Sequence, residues 1–199
     1  MSLVSAKNIS KSYPDGNSEL KVLTNINLEV NKGEIIIING PSGSGKTTLL
    51  NVLSTLDFPD SGELLISDES IDFNNSNQID YIRANEIGIL LQNHNLIDEL
   101  TVFENICLPF RLTNKQNHQD PFILLSDFNL ETKIDNYPNQ LSGGEAQRIS
   151  LIRSIIHNPS CVIADEPTAN LDKQNFYIMI ELIQRLKINY NKSFIISTH

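Results

Sequence analysis

The sequence predicts an α/β fold: a mostly parallel central sheet flanked by helices, with a helical subdomain inserted into it. Three observations support this. Continuous apolar runs, Glu34–Asn39 (EIIIIN) above all, have the character of buried central strands. Between them lie stretches with apolar residues at helical spacing. From about position 93 to 157 strand-like runs give out, so that stretch reads as the inserted subdomain.

Along the chain, Asn25–Val30 (NINLEV) alternates polar and apolar residues, as a half-exposed strand does. EIIIIN ends at Gly40, and Lys46–Thr55 then forms a helix with Leu49, Leu50, Val52 and Leu53 on its apolar side. Ile87–Leu91 (IGILL) is the next buried strand. Leu112–Pro121 (LTNKQNHQDP) is polar and aperiodic, a loop within the subdomain. Helical patterns fill Glu145–His157 and Phe176–Ile188, the second carrying Ile178, Ile180, Leu182, Ile183 and Leu186. Cys161–Ala164 (CVIA) and Ser193–Ser197 (SFIIS) complete the buried strands. No repeat, linker or low-complexity block divides the 199 residues, so a single domain is expected.

Composition removes whole classes. With 9 Gly and 8 Pro the chain is neither fibrous nor low-complexity. Fifteen basic against 24 acidic residues leave a net charge of −9, the wrong sign for phosphate, so no nucleic-acid partner is expected. No apolar run reaches the ~18–20 residues that span a bilayer. The opening MSLVSAKNISKSYP lacks the apolar centre of a secretory signal. The chain is therefore expected to be cytoplasmic, meeting a membrane only through a partner. Its cysteines, Cys107 and Cys161, are expected to be buried thiols.

The chemistry begins at Gly40-Pro41-Ser42-Gly43-Ser44-Gly45-Lys46-Thr47, followed by Thr48, between a strand and a helix. The spacing G-x-x-x-x-G-K-[ST] in that setting is a phosphate-binding loop. Glycines let successive backbone N–H groups converge on one anion, and the helix N-terminus adds its dipole. Lys46 reaches the β/γ-phosphates and Thr47 offers a hydroxyl to Mg²⁺, so a nucleoside triphosphate is the expected ligand. CVIA ends in Asp165-Glu166. A carboxylate at the end of a neighbouring buried strand lies at the ligand crevice of such sheets. Asp165 is placed for the metal shell and Glu166 to polarise a water for in-line attack. Leu141-Ser142-Gly143-Gly144-Glu145, at a helix start, is a second possible anion cradle. It is either a plain helix cap or a surface facing the nucleotide of another chain, as a two-fold dimer would require.

LSGGE followed by Gln147-Arg148 resembles the signature of the ATP-binding cassette (ABC) ATPases, and the resemblance extends along nearly the whole chain. It implies a P-loop NTPase fold with an N-terminal antiparallel β part. It also implies ATP and Mg²⁺ as cofactors, hydrolysis of ATP, and a head-to-tail dimer of two copies acting on a membrane permease. Tyr13, in KSYP, is similar to the aromatic residue that stacks on adenine. Gln92 matches the glutamine linking metal site and helical subdomain. Ala169-Asn170-Leu171-Asp172 resembles the loop that contacts the opposite subunit, and His199 the histidine that contacts the γ-phosphate. Leu100-Thr101-Val102, Glu104-Asn105 and Leu108-Pro109 are similar to the group that serves lipoprotein release and macrolide or bacteriocin-peptide export. Ile152-Arg153-Ser154 departs from the family's Ala-Arg-Ala.

The family usually continues past the residue matching His199, so the chain is expected to be shortened there. That leaves an alternative, a truncated module that binds nucleotide but hydrolyses little. His94, His118 and His157 lie outside these motifs and are expected to be solvated. Asn93–Leu100, with Leu96, Ile97 and Leu100, is the expected docking surface for the permease.

Overall fold

The computed structural model describes residues 2–16, 18–111 (Arg111 by its backbone) and 118–199. Strand β1 (Ser2–Asp15) turns back into β2 (Ser18–Asn31), and β3 (Ile35–Asn39) runs into helix α1 (Lys46–Leu53). Strands β4 (Ser61–Ile66) and β5 (Glu69–Ser70) precede α2 (Ser76–Asn85) and β6 (Ile87–Leu90). Among the described residues, only helices and short 3-10 turns lie between β6 and β7 (Cys161–Ala164), the helices being α3 (Val102–Cys107), α4 (Pro121–Asp127) and α5 (Gly143–Ile155). The last elements are α6 (Lys173–Tyr190) and β8 (Ser193–Thr198). Positions 112–117 of the expected polar loop lie outside the described residues.

The strands make two sheets. One is antiparallel, in the order β2-β1-β4-β5, and the other parallel, in the order β3-β8-β7-β6. In β7 and β8 the two-residue period divides the side chains between two cores. Cys161, Ile163 and Ile195 face α1 and the antiparallel sheet. Val162, Ala164, Phe194 and Ile196 face α5, α6 and the helical subdomain. The pairing of Ala164 with Ile196 sets Asp165 beside Ser197 at the sheet's carboxyl edge.

One expectation here is corrected, and two elements carry no pattern by which the sequence would show them. The run EIIIIN is apolar, but among the described residues β3 is an edge strand, and Ile37 is 54% exposed. Long β1 has no clean alternation, because repeated register shifts against β2 and a left-handed Asn8 (φ 51°) interrupt its period. Helix α2 buries only Ile82 and Asn85, too few to mark an apolar face.

His157 is buried, its Nε2 3.2 Å from the Ile87 carbonyl, because the turn after α5 tucks against β6. His118 packs on Phe110 at 4.3 Å, and His94 Nδ1 accepts the Leu96 N–H; both rings are half-buried rather than solvated. Cys107 is only half-buried, while burial pushes the Cys161 thiol up to about 12. Leu96, expected on a docking surface, is 8% exposed and belongs to the subdomain core. The buried Asn105 side chain fixes the loop around it. Its Oδ1 accepts the Ile97 N–H, and its Nδ2 donates to the carbonyls of Ile97, Leu100 and Thr101.

Candidate functional site

The loop between β3 and α1 is shaped by glycine. Gly43 and Gly45 have φ of +77° and +90°, in the left-handed region that side chains disfavour. A Cβ on Gly45 would also lie 2.9 Å from Val22 Cγ1. Gly45 caps α1, whose first turn contains no acidic residue to offset the positive end of the helix dipole. Lys46 opens the helix and is almost wholly buried, yet its Nζ curls back over the loop. It donates to the carbonyls of Gly40 (2.7 Å) and Pro41 (3.1 Å). Ser44 N–H closes a turn onto Pro41. An ammonium held at the mouth of an N–H-lined loop is a built anion receptor.

Opposite it stand the two carboxylates at the end of β7. Asp165 is clamped by two hydroxyls: Thr47 Oγ1 donates to Oδ2 at 2.8 Å and Ser197 Oγ donates to Oδ1 at 2.6 Å. The same Ser197 hydroxyl accepts the Glu166 N–H at 2.9 Å. Glu166 has φ +44°, a backbone state rare for its residue type and often kept where function needs it. Its Oε1 lies 2.7 Å from His199 Nε2 and 3.8 Å from Lys46 Nζ. Lys46 Nζ is also 3.4 Å from His199 Nδ1. The His199 ring thus bridges the two, with Nε2–H donating to the Glu166 carboxylate and Nδ1 on the Lys46 side.

A cleft of about 460 Å³ opens here, lined among others by Tyr13, Gly43, Thr48, Gln92, Glu166 and His199. Ser42 also lines it, and Gly40, Pro41 and Ser44 complete the loop beneath. The Thr47 hydroxyl and Asp165 carboxylate meet at hydrogen-bond distance with Gln92 on the same cleft, an all-oxygen set of the kind Mg²⁺ takes. Tyr13 stands at the cleft's far side, where its hydroxyl donates to Asp57 Oδ2 at 2.7 Å.

The second cradle is elsewhere. Ser142 caps α5 in a reciprocal pair: its Oγ accepts the Glu145 N–H, and its own N–H donates to Glu145 Oε2. Glu145 is held below the usual carboxylate range by that Ser142 N–H, against the opposing effect of burial, with help from Lys133. A Cβ on Gly144 would collide with Asn175, whereas one on Gly143 would meet open space. Asp172 caps α6 by accepting the Asn175 N–H at 2.8 Å. Neither Ser142–Glu145 nor Asp172 lines the cleft.

The structure thus gathers Tyr13, the loop from Gly40 to Thr48, Gln92, Asp165, Glu166 and His199, and leaves the α5 and α6 caps facing outward. Ser197 and Asp57 were missed in the sequence. A serine closing the apolar SFIIS run, one step from a parallel strand ending in Asp-Glu, was the available signal for Ser197.

Comparison with known proteins gives a consistent result. A family model for the ABC transporter family matches residues 23–169. The lipoprotein-releasing system ATP-binding protein LolD of Buchnera aphidicola is 42% identical over 200 residues, 99% of this chain and 88% of that protein. LolD of Francisella tularensis is 39% identical over 201 residues, 99% of this chain and 87% of that protein. Among solved structures, a dimeric post-hydrolysis state of an ATP-binding cassette bound to ADP and Pi aligns with a TM-score of 0.88. It is 34% identical, and the alignment covers 98% of this chain and 88% of that one.

Proposed function

From the premise that this chain belongs to the ABC transporter family and is an ATPase of it, we propose that it powers a lipoprotein-releasing exporter as its ATP-hydrolysing subunit. The observation that carries the reading is the convergence of Lys46, the Thr47–Asp165 pair and the Glu166–His199 pair on one cleft. In this reading the loop N–H groups and Lys46 hold the β- and γ-phosphates, and Tyr13 stacks on the adenine. Thr47, Asp165 and Gln92 would hold Mg²⁺, which when bound neutralises charge on the phosphate oxygens. Glu166 takes a proton from a water whose oxygen attacks the γ-phosphorus, while the bond to the bridging oxygen breaks and ADP leaves. His199, hydrogen-bonded to Glu166, orients that carboxylate and reaches the γ-phosphate.

The outward-facing caps fit a dimer. Gly143 leaves the α5 N-terminus open, and the aligned cassettes are described as dimeric. Ser142–Glu145 of one copy then closes over ATP held by the other, with Asp172 at the same interface. Ser142→Arg is expected to abolish ATP-dependent dimerisation, read as molar mass by light scattering, while ATP still binds the monomer. Ser142→Ala, which loses the cap at about 1 kcal/mol but adds no bulk, is expected to dimerise. Equal dimerisation of Ser142→Arg and the unaltered protein would make the segment a cap and nothing more.

No described helix is long and apolar enough to cross a membrane. The reading places the protein at the cytoplasmic face of the membrane, held there by a separate permease. The seat is an apolar cleft of about 260 Å³ between α2, β6 and α5, lined by Ala84, Ile89, Leu108 and Arg153 among others. Arg153 ties it to the segment after Gln92, donating to the carbonyls of His94 and Asn95. Ile97 lies exposed on that segment. A cognate permease is expected to raise ATP turnover, and Ile97→Asp or Ala84→Glu to remove the stimulation while basal turnover persists. Equal stimulation of both variants would move the seat elsewhere. Absence of stimulation would favour the nucleotide-binding module.

A further inference from the structure

We infer that Asp57 is a positioning residue for Tyr13 and thereby governs recognition of the nucleotide base, an inference that rests on the stacking role proposed for that tyrosine. Lys11 and Tyr13, two residues apart on β1, both bond the Asp57 carboxylate and so turn to one face of the strand. That face meets the loop leaving the C-terminal end of α1. Tyr13 Oη donates to Asp57 Oδ2 at 2.7 Å, and Lys11 Nζ donates to Asp57 Oδ1 at 3.0 Å, so the carboxylate is gripped by both of its oxygens. The Lys11 ammonium is buried, donates also to the Phe58 carbonyl, and lies 4.6 Å from the Phe58 ring centroid and 5.3 Å from that of Tyr13. Asp60 secures the same loop by accepting the Ser12 N–H, while its own N–H donates to the Ser10 carbonyl.

Burial alone would raise the Asp57 carboxyl, yet the hydrogen bonds from Tyr13 and Lys11 outweigh it and keep the group below its ordinary value. The acceptor is therefore charged and the Tyr13 phenol is its donor. A tyrosine on a hairpin can swing about its first two side-chain torsions; an anchored hydroxyl removes that freedom and holds the ring where it lines the cleft. The anchor also has a particular address. Helix α1 begins at Lys46 in the phosphate loop, and the chain leaving its other end carries Asp57. One helix thus sets both the phosphate receptor and the plane on which the base lies.

The experiment measures binding of two ligands, ATP and inorganic tripolyphosphate, which has the phosphates and no base. Tyr13→Phe keeps the ring, leaves Lys11 paired with Asp57 and removes the hydroxyl, with its bond to Asp57 and its contact with Thr48; Asp57→Ala, which spares Thr48, separates the two. Tyr13→Phe is expected to weaken ATP about threefold to tenfold, the worth of one hydrogen bond of this kind, and to leave tripolyphosphate unchanged. Asp57→Ala is expected to show the same selective loss. In the Tyr13→Phe background it should alter the ratio of the two affinities no further, as members of one interaction do. ATP affinity unchanged in Tyr13→Phe but reduced in Tyr13→Ala would overturn the anchoring role and spare the stacking one. Equal loss for ATP and tripolyphosphate would also overturn it, as a general disturbance of the site. ATP affinity unchanged in Tyr13→Ala would remove the stacking reading itself.

Discussion

Glu166→Gln is expected to lower ATP turnover by about a hundredfold or more while ATP still binds, because general-base catalysis of this type contributes about 10²–10⁴ in rate. The substitution is close to isosteric. A glutamine oxygen can still accept the His199 Nε2–H that now lies 2.7 Å from Oε1, so the arrangement of the two side chains should persist. What disappears is the capacity to take a proton from water. The negative charge 3.8 Å from Lys46 goes with it, which leaves the ammonium freer to serve the phosphates. Binding should therefore be retained or tightened, and the variant should accumulate as an ATP-dependent dimer of doubled mass. Phosphate release and light scattering on the same sample test both halves. Retained turnover would assign the base elsewhere, with His199 the next group in reach.

Lys46→Ala is expected to abolish measurable ATP binding, a loss of about a hundredfold or more. Contacts of a charged donor are worth about 1.5–3 kcal/mol each, and this one is nearly buried and aimed at a multiply charged ligand. The side chain also braces the loop through Gly40 and Pro41, so the variant loses preorganisation as well as charge. Lys46→Arg separates the two effects: it restores the charge, but a planar guanidinium does not fit the loop as a compact ammonium does. Calorimetric titration with ATP reads the result. Binding of Lys46→Ala at the unaltered affinity would exclude the lysine from phosphate recognition.

How much of this was legible depended on how local each contact is. The phosphate loop is one contiguous stretch whose glycines, lysine and threonine act within a few residues of each other, and pattern alone locates it. Asp165-Glu166 was legible for a similar reason, since a buried run ending in two acids leaves few places for them to point. Ser197 and Asp57 act across the chain: Ser197 reaches Asp165 from 32 positions away, and Asp57 reaches Tyr13 from 44. No local pattern records such pairs. Strand β1 escaped because bulges break its period, and His157 because a turn residue is buried by what folds over it, here β6. The apolar content of Glu34–Asn39 identified a strand correctly but not its place in the sheet, since four isoleucines read alike at the centre and at the edge.

That edge has a consequence for handling the protein in solution. Among the described residues β3 presents one side of its backbone with no neighbouring strand, flanked by the outward Ile37. An uncovered apolar rim of this kind is a template on which another extended chain can add a rung, and native proteins ordinarily blunt such rims with charge or proline. Ile35–Asn39 contains neither. A further strand laid here, whatever its source, would pair through main-chain atoms and would not depend on nucleotide. Ile37→Lys, by blunting the rim, should disfavour that pairing.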